Sequence, residues 1–129
     1  LQRHGVRDGD DVFVVGCGGR LTDIKGHHQL SKAMEKVLRK HNDVVLLVAG
    51  SGSEGARYEA LKKQGLRVVM LGMLRQQELA TFYQALDCFV DPFYQHHGLN
   101  TVMIEATLSG VPLLATNLAS AKTTVPCHA

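Results

Sequence analysis

The stretch "DVVLLVAGSGSEG" (43–55) decides the fold. Val44 to Ala49 is an unbroken apolar run, too short for a core helix and without the alternation of a strand that has one wet face. Such a run fits a strand covered on both sides, as in a parallel sheet with helices packed above and below. It ends in glycines and leads into "SEGARYEALKKQG" (53–65), which reads as a helix with Ser53 as its cap and Gly65 as its stop.

The same strand-then-helix unit recurs on both sides. Upstream, "DVFVVG" (11–16) reads as a strand. It is followed by the helical pattern "HHQLSKAMEKVLRKH" (27–41), with Leu30, Ala33, Met34, Val37 and Leu38 on one face. Downstream come the strand "RVVMLG" (67–72), the helix "QQELATFYQAL" (76–86) and the strand "DCFVDP" (87–92). The helix "NTVMIEATLSG" (100–110) follows, capped by Asn100 or Thr101 and stopped by Gly110, and then the strand "VPLLAT" (111–116). Strict alternation predicts an α/β domain with a doubly wound, Rossmann-like parallel sheet and right-handed crossovers. Ligands of such sheets bind beyond the carboxyl ends of the strands, which directs attention to 16–26, 50–55, 72–75 and 91–100.

Bulk properties narrow the classes. A chain of 129 residues suffices for one domain, and its 45% hydrophobic and 20% charged content is that of a globular protein. A net charge of +2 lacks the basic excess of a nucleic-acid binder. There is no apolar run of about 18 residues and no signal peptide, so no transmembrane segment is expected. Three widely spaced cysteines, Cys17, Cys88 and Cys127, argue against a disulfide framework and for a reducing, cytoplasmic setting. The chain opens on Leu1 rather than Met, and it is expected to be a piece of a longer protein.

The segment "GCGGRLTDIKG" (16–26) combines glycines, through which a backbone can approach a ligand, with Arg20 and Lys25. That combination suits a phosphate or diphosphate; the plain alternative is a tight turn with two solvated cations. Gly16, Gly18 and Gly19 do not complete a dinucleotide fingerprint, because the third position is Leu21. "GSGSEG" (50–55) is not a P-loop, since no Gly-Lys-Ser/Thr follows; it is a second close-approach loop or a simple turn. "DGD" (8–10) precedes the first strand, at the wrong end of the sheet for a ligand, and reads as a surface turn. The pairs His27–His28 and His96–His97 make a poor metal site, because adjacent residues point in different directions; no metal is expected.

Glu105 interrupts an apolar helical run, and a buried carboxylate needs a partner. It is not in a capping box, since the positions three after Asn100 and Thr101 are Met103 and Ile104. It lies one turn beyond Thr101 on the same side of the helix. A carboxylate there can accept hydrogen bonds from a vicinal diol such as a ribose. A phosphate at the first loop and a diol at the fourth helix describe a nucleotide lying across the sheet edge.

In order and spacing, "GGRLTDIKG", "LLVAGSG", "VVMLG", "ELATFYQALDCFVDP" and "GLNTVMIEATLSGVPLLATN" resemble the motifs of family-4 glycosyltransferases, over residues 11 to 120. These are retaining enzymes of the two-Rossmann-domain (GT-B) type. The resemblance is to the C-terminal domain, which binds the nucleoside-diphosphate-sugar donor. It implies that Arg20 and Lys25 hold the diphosphate without a metal or other cofactor, and that Gly18 and Gly19 border phosphates and sugar. It places the base at Gly72, Met73 and Leu74, and the ribose on Glu105, the second glutamate of the family's E-x7-E motif. Leu99, Asn100 and Thr101 match the loop whose backbone N–H groups face sugar and phosphate. His97 stands where the motif's first glutamate contacts the donor sugar. After Ser120, "AKTTVPCHA" departs from the family pattern, and the domain is expected to be truncated at that end.

The resemblance implies a hexosyl transfer from a nucleotide sugar to an acceptor hydroxyl, with a missing N-terminal domain that binds the acceptor. The chain alone is expected to catalyse nothing. Two alternatives stand beside this. One is a non-catalytic nucleotide-sugar binding module, which His97 would mark. The other is a nucleotide-sugar epimerase of the same two-domain shape, which would convert donor alone.

Overall fold

The computed structural model describes residues 11–22, 26–92 and 101–115. Five parallel strands alternate with four helices: β1 (Phe13–Arg20), α1 (His27–Lys40), β2 (Val44–Ser51), α2 (Gly55–Lys63), β3 (Val68–Gly72), α3 (Gln76–Gln84), β4 (Cys88–Asp91), α4 (Thr101–Leu108) and β5 (Leu113–Ala115). The sheet order is β3-β2-β1-β4-β5. The doubly wound, Rossmann-like arrangement expected from the alternation is the one observed.

The period of two along a strand divides the core into two layers. Val15 and Cys17 of β1 and Val44, Leu46 and Val48 of β2 pack under α1 and α2, against Leu30, Met34, Leu38, Tyr58 and Leu61. Their neighbours Val14, Val45, Leu47 and Ala49 face the other way, against Phe82, Tyr83 and Leu86 on the α3 side and Ala106 of α4. Helices thus lie on opposite faces on either side of β1, as crossovers of a single hand require when the strand order reverses there. Among the described residues no helix is long and apolar enough to cross a membrane.

Three local expectations are corrected. First, β1 does not end at Gly16 but continues through "CGGR" to Arg20, paired with β2 as far as Arg20↔Ser51. Glycine permits this because the two backbones close in there. A Cβ on Gly18 would sit 2.7 Å from the Ala49 carbonyl oxygen, and one on Gly50 (φ 137°) would strike the Gly19 carbonyl. Second, Ser53 does not cap α2. The cap position is Glu54, without a side-chain cap bond, and Glu54 instead pairs with Arg57 at 2.8 Å. Third, α1 is rotated from its expected face. Ala33 is exposed, whereas Ser31 and His27 are buried. The Ser31 hydroxyl donates to the His28 carbonyl at 3.0 Å, which removes the cost of burying it.

The stop glycines behave as expected: Gly65 and Gly110 take φ of 86° and 79° just beyond their helices. Asp87 secures β4 to β1 before the ladder begins. Its carboxylate accepts from the Val14 N–H at 2.7 Å, and its own N–H donates to the Val14 carbonyl at 2.8 Å.

The two kinds of glycine should separate on substitution. Gly65→Ala has open space around it and pays only for its left-handed backbone, about 1 kcal/mol. Gly50→Ala adds a backbone collision and should cost about 2 kcal/mol or more. Urea unfolding of both variants measures this, and equal losses would contradict the close approach of β1 and β2.

Candidate functional site

The β1–β2 ladder carries its glycine-rich ends to the carboxyl edge of the sheet. There Gly18, Gly19 and Arg20 of β1 stand beside Ala49, Gly50 and Ser51 of β2. The turn after β3 brings Met73 and Leu74 to the same edge. The next helix, α3, begins at Gln76 and presents Leu79, Phe82 and Tyr83, spaced i, i+3, i+4 along one face. Glu105 of α4 completes the ring. Together these residues line a cleft of about 450 Å³. That is within the range of small-molecule sites, roughly 300–1,000 Å³.

Of the residues proposed from sequence, the structure gathers Gly18, Gly19, Arg20, Met73, Leu74 and Glu105 on this one cleft. Gly72 ends β3 with φ 69°, turning the chain towards Met73 without itself lining the cavity. Thr101 opens α4, one turn before Glu105. Lys25, His97, Leu99 and Asn100 lie outside the described residues, as do the "DGD" turn, His96 and Asn100's expected capping role.

Glu105 has a partner inside the fold. The Tyr83 hydroxyl donates to its Oε1 at 3.3 Å. Burial, followed by the Glu105 charge and this hydrogen bond, pushes the Tyr83 phenol well above its ordinary range. The Tyr83 ring is itself held, 5.3 Å from Phe82 and 5.5 Å from Phe89 between ring centres. Tyr83 and its neighbours Leu79 and Phe82 were missed in the sequence because α3 reads as a packing helix. The available signal was position: a helix starting at the carboxyl edge of β3 borders the ligand edge with its first turns.

Behind the cleft's glycine wall, on the other face of the sheet, lies a second polar group. The Tyr58 hydroxyl of α2 shares a 2.5 Å hydrogen bond with Nδ1 of His27, the first residue of α1, and the two rings meet edge-on. His27 is therefore part of the packing between α1 and α2. Among the described residues no cluster of three or more His, Cys, Asp or Glu could hold a metal ion. Cys17 is buried beside Tyr58, and burial pushes its thiol from 9.0 up to about 12, with the Asp91 charge adding to the rise. The Tyr58 hydrogen bond opposes that rise in part.

Residues 12–126 match the family described as glycosyl transferases group 1. The chain is 33% identical over 127 residues to a GDP-mannose-dependent phosphatidylinositol monomannoside mannosyltransferase of Corynebacterium glutamicum, covering 90% of this chain and 32% of that protein. It is 36% identical over 113 residues to a glycosyltransferase of Methanocaldococcus jannaschii, covering 84% and 28%. The chain thus spans about a third of the length of these curated relatives. Its fold superposes on the crystal structure of Anabaena HepE in complex with UDP and glucose. The TM-score is 0.73 at 27% identity, covering 89% of this chain and 32% of that one.

The Cys17 environment has a consequence for stability. An unfolded thiol ionises near its ordinary 9.0, whereas the folded one keeps its proton to about 12. Between those values the folded state binds more protons than the unfolded state. Stability should therefore fall as pH rises past about 9, by up to about 1.4 kcal/mol per pH unit from this group. Urea unfolding at pH 8 and pH 10, with Cys17→Ala as the comparison, measures it. An equal fall in wild type and variant would remove Cys17 as the cause.

Proposed function

This chain belongs to the group 1 glycosyl transferases, and from that premise we propose that it is the C-terminal, donor-binding domain of a retaining family-4 glycosyltransferase. The complete enzyme moves a hexose from a nucleoside-diphosphate sugar to an acceptor hydroxyl. One observation carries the reading. Residues drawn from three separate segments, Gly18 to Arg20, Met73 and Leu74, and Glu105, meet on one cleft at the carboxyl edge of the sheet.

Each group has a task that its chemistry fits. The guanidinium of Arg20, joined by Lys25, takes the diphosphate and stabilises the charge that grows on it as the sugar leaves. These two cations supply the positive charge that a metal would otherwise bring, so no metal or other cofactor is assigned. Gly18 and Gly19 let the phosphates and sugar lie against the backbone. The turn at Gly72, Met73 and Leu74 meets the base, and the Glu105 carboxylate accepts hydrogen bonds from the ribose diol. The family resemblance assigns Leu99, Asn100 and Thr101 to sugar and phosphate, and His97 to the donor sugar. The acceptor attacks on the face the phosphate leaves, and the protein contributes positioning and charge stabilisation. The Corynebacterium relative is named for GDP-mannose and the Anabaena structure holds UDP and glucose. Base and sugar both differ between them, so the donor is assigned here only as a nucleoside diphosphate hexose. A cytoplasmic setting accords with Cys17 and Cys88 being free thiols.

A second reading is favoured by one residue. His97 replaces a glutamate of the family pattern, which suits a module that binds a nucleotide sugar without transferring it. His97→Glu in a protein carrying both domains separates the two: gain of transfer supports the binding module, and loss supports a working histidine.

Calorimetry of the 129-residue chain with UDP, GDP, ADP and NAD tests the main reading. One nucleoside diphosphate should bind best. Arg20→Ala should weaken it by about tenfold or more, the scale of a charge-assisted hydrogen bond. Failure of all three diphosphates to bind, or an Arg20→Ala variant that binds as the wild type does, would sink it. The chain alone should show no transfer, since the acceptor side of the cleft lies on another domain.

A further inference from the structure

The hydrogen bond between Tyr83 and Glu105 links a buried side chain to the carboxylate at the cleft. Tyr83 is 3% exposed, and its ring is fixed by Phe82 on its own helix and by Phe89 on β4. Phe82 and Phe89 also meet edge-on, with ring centres 6.4 Å apart, so the three rings brace one another. A phenol held this way has its hydroxyl position set by the core. Glu105, by contrast, is only half-buried, and its side chain has rotamers to lose.

From this geometry we infer that Tyr83 is a positioning residue for the nucleotide's ribose, holding Glu105 through Oε1 so that the carboxylate discriminates ribose from deoxyribose. The inference rests on the donor-site reading above and adds a residue that reading does not use. An ionised carboxylate offers about four lone-pair sites. Tyr83 occupies one, which leaves room for both hydroxyls of a vicinal diol. The Tyr83–Glu105 bond at 3.3 Å is long for a hydroxyl donating to a carboxylate. It restrains the carboxylate's direction without saturating it. Without Tyr83, the carboxylate would still be present but would have to be ordered by the ligand itself, and part of the binding free energy would go to that ordering.

Tyr83→Phe keeps the ring and removes only the hydroxyl. The test compares wild type, Tyr83→Phe, Glu105→Ala and the double variant for binding of UDP, GDP and ADP and their 2′-deoxy counterparts, with thermal melts to show that each variant is folded. For the nucleotide that binds, Tyr83→Phe should weaken the ribonucleotide by about three- to tenfold and leave the 2′-deoxy compound less affected, which narrows the ribose preference. In the Glu105→Ala background, removing the Tyr83 hydroxyl should have no further effect. If Tyr83→Phe binds as the wild type while Glu105→Ala is weakened, the positioning role is wrong and the donor-site reading survives. Equal loss for ribose and deoxyribose overturns it too, because that is what a purely structural tyrosine would do. If Glu105→Ala binds normally, the carboxylate is no ribose anchor and the positioning role falls, while the donor-site reading is decided by its own Arg20→Ala comparison.

Discussion

The close approach of β1 and β2 is the constraint on which the site depends. Eight consecutive pairs run from Phe13↔Val44 to Arg20↔Ser51. In the first half, the valines and leucines from Val14 to Leu47 fill two core layers, while Phe13 stays exposed. The second half begins with Cys17↔Val48, still in the core, and then thins to three glycines, an alanine and a serine beside Arg20. The apolar half holds the strands in register, and the glycine half carries that register past the end of the core to the ligand edge. A backbone surface with few side chains results, and among the described residues Arg20 is the cation at its rim. The cleft opens at this edge, where glycine backbone and the Arg20 side chain both line it.

The fold was legible because burial on both faces leaves a plain signature. The run 44–49 has that signature, and β2 is buried along all of it, whereas the similar run 68–71 forms the half-buried edge strand β3. What was not legible follows from the same physics. The end of β1 looked like a loop because glycine and arginine carry no apolar signal, yet the ladder continues wherever two backbones can pair. The buried face of α1 was misjudged at Ala33 because small apolar residues are indifferent to exposure. His27 and Ser31 are buried because their polar atoms find partners that lie far off in sequence or in the backbone. Six of the proposed site residues meet on one cleft because the carboxyl-edge rule operates on topology alone. Tyr83 escaped notice because its role depends on a contact 22 residues away, across two helices.

The two faces of the sheet use the same device for different ends. On one face, Tyr58 of α2 reaches His27 of α1; on the other, Tyr83 of α3 reaches Glu105 of α4. A tyrosine can bury its ring as core and still place one polar atom accurately, so it ties neighbouring helices together without opening a cavity. The difference lies in the partner. His27 is 1% exposed and its bond closes the interior beneath the first turn of α1. Glu105 lines the cleft, so the same kind of bond leaves a charged group facing outward. A carboxylate placed there solely for packing would be a poor choice, because an apolar residue would fill the position without needing a partner. The Tyr83 hydroxyl satisfies one lone pair of Glu105 and leaves the rest free at a cleft that glycine backbone and Arg20 also line. On the donor-site reading proposed above, this acceptor and the Arg20 cation answer the two ends of a nucleoside diphosphate, ribose hydroxyls at one and phosphate at the other.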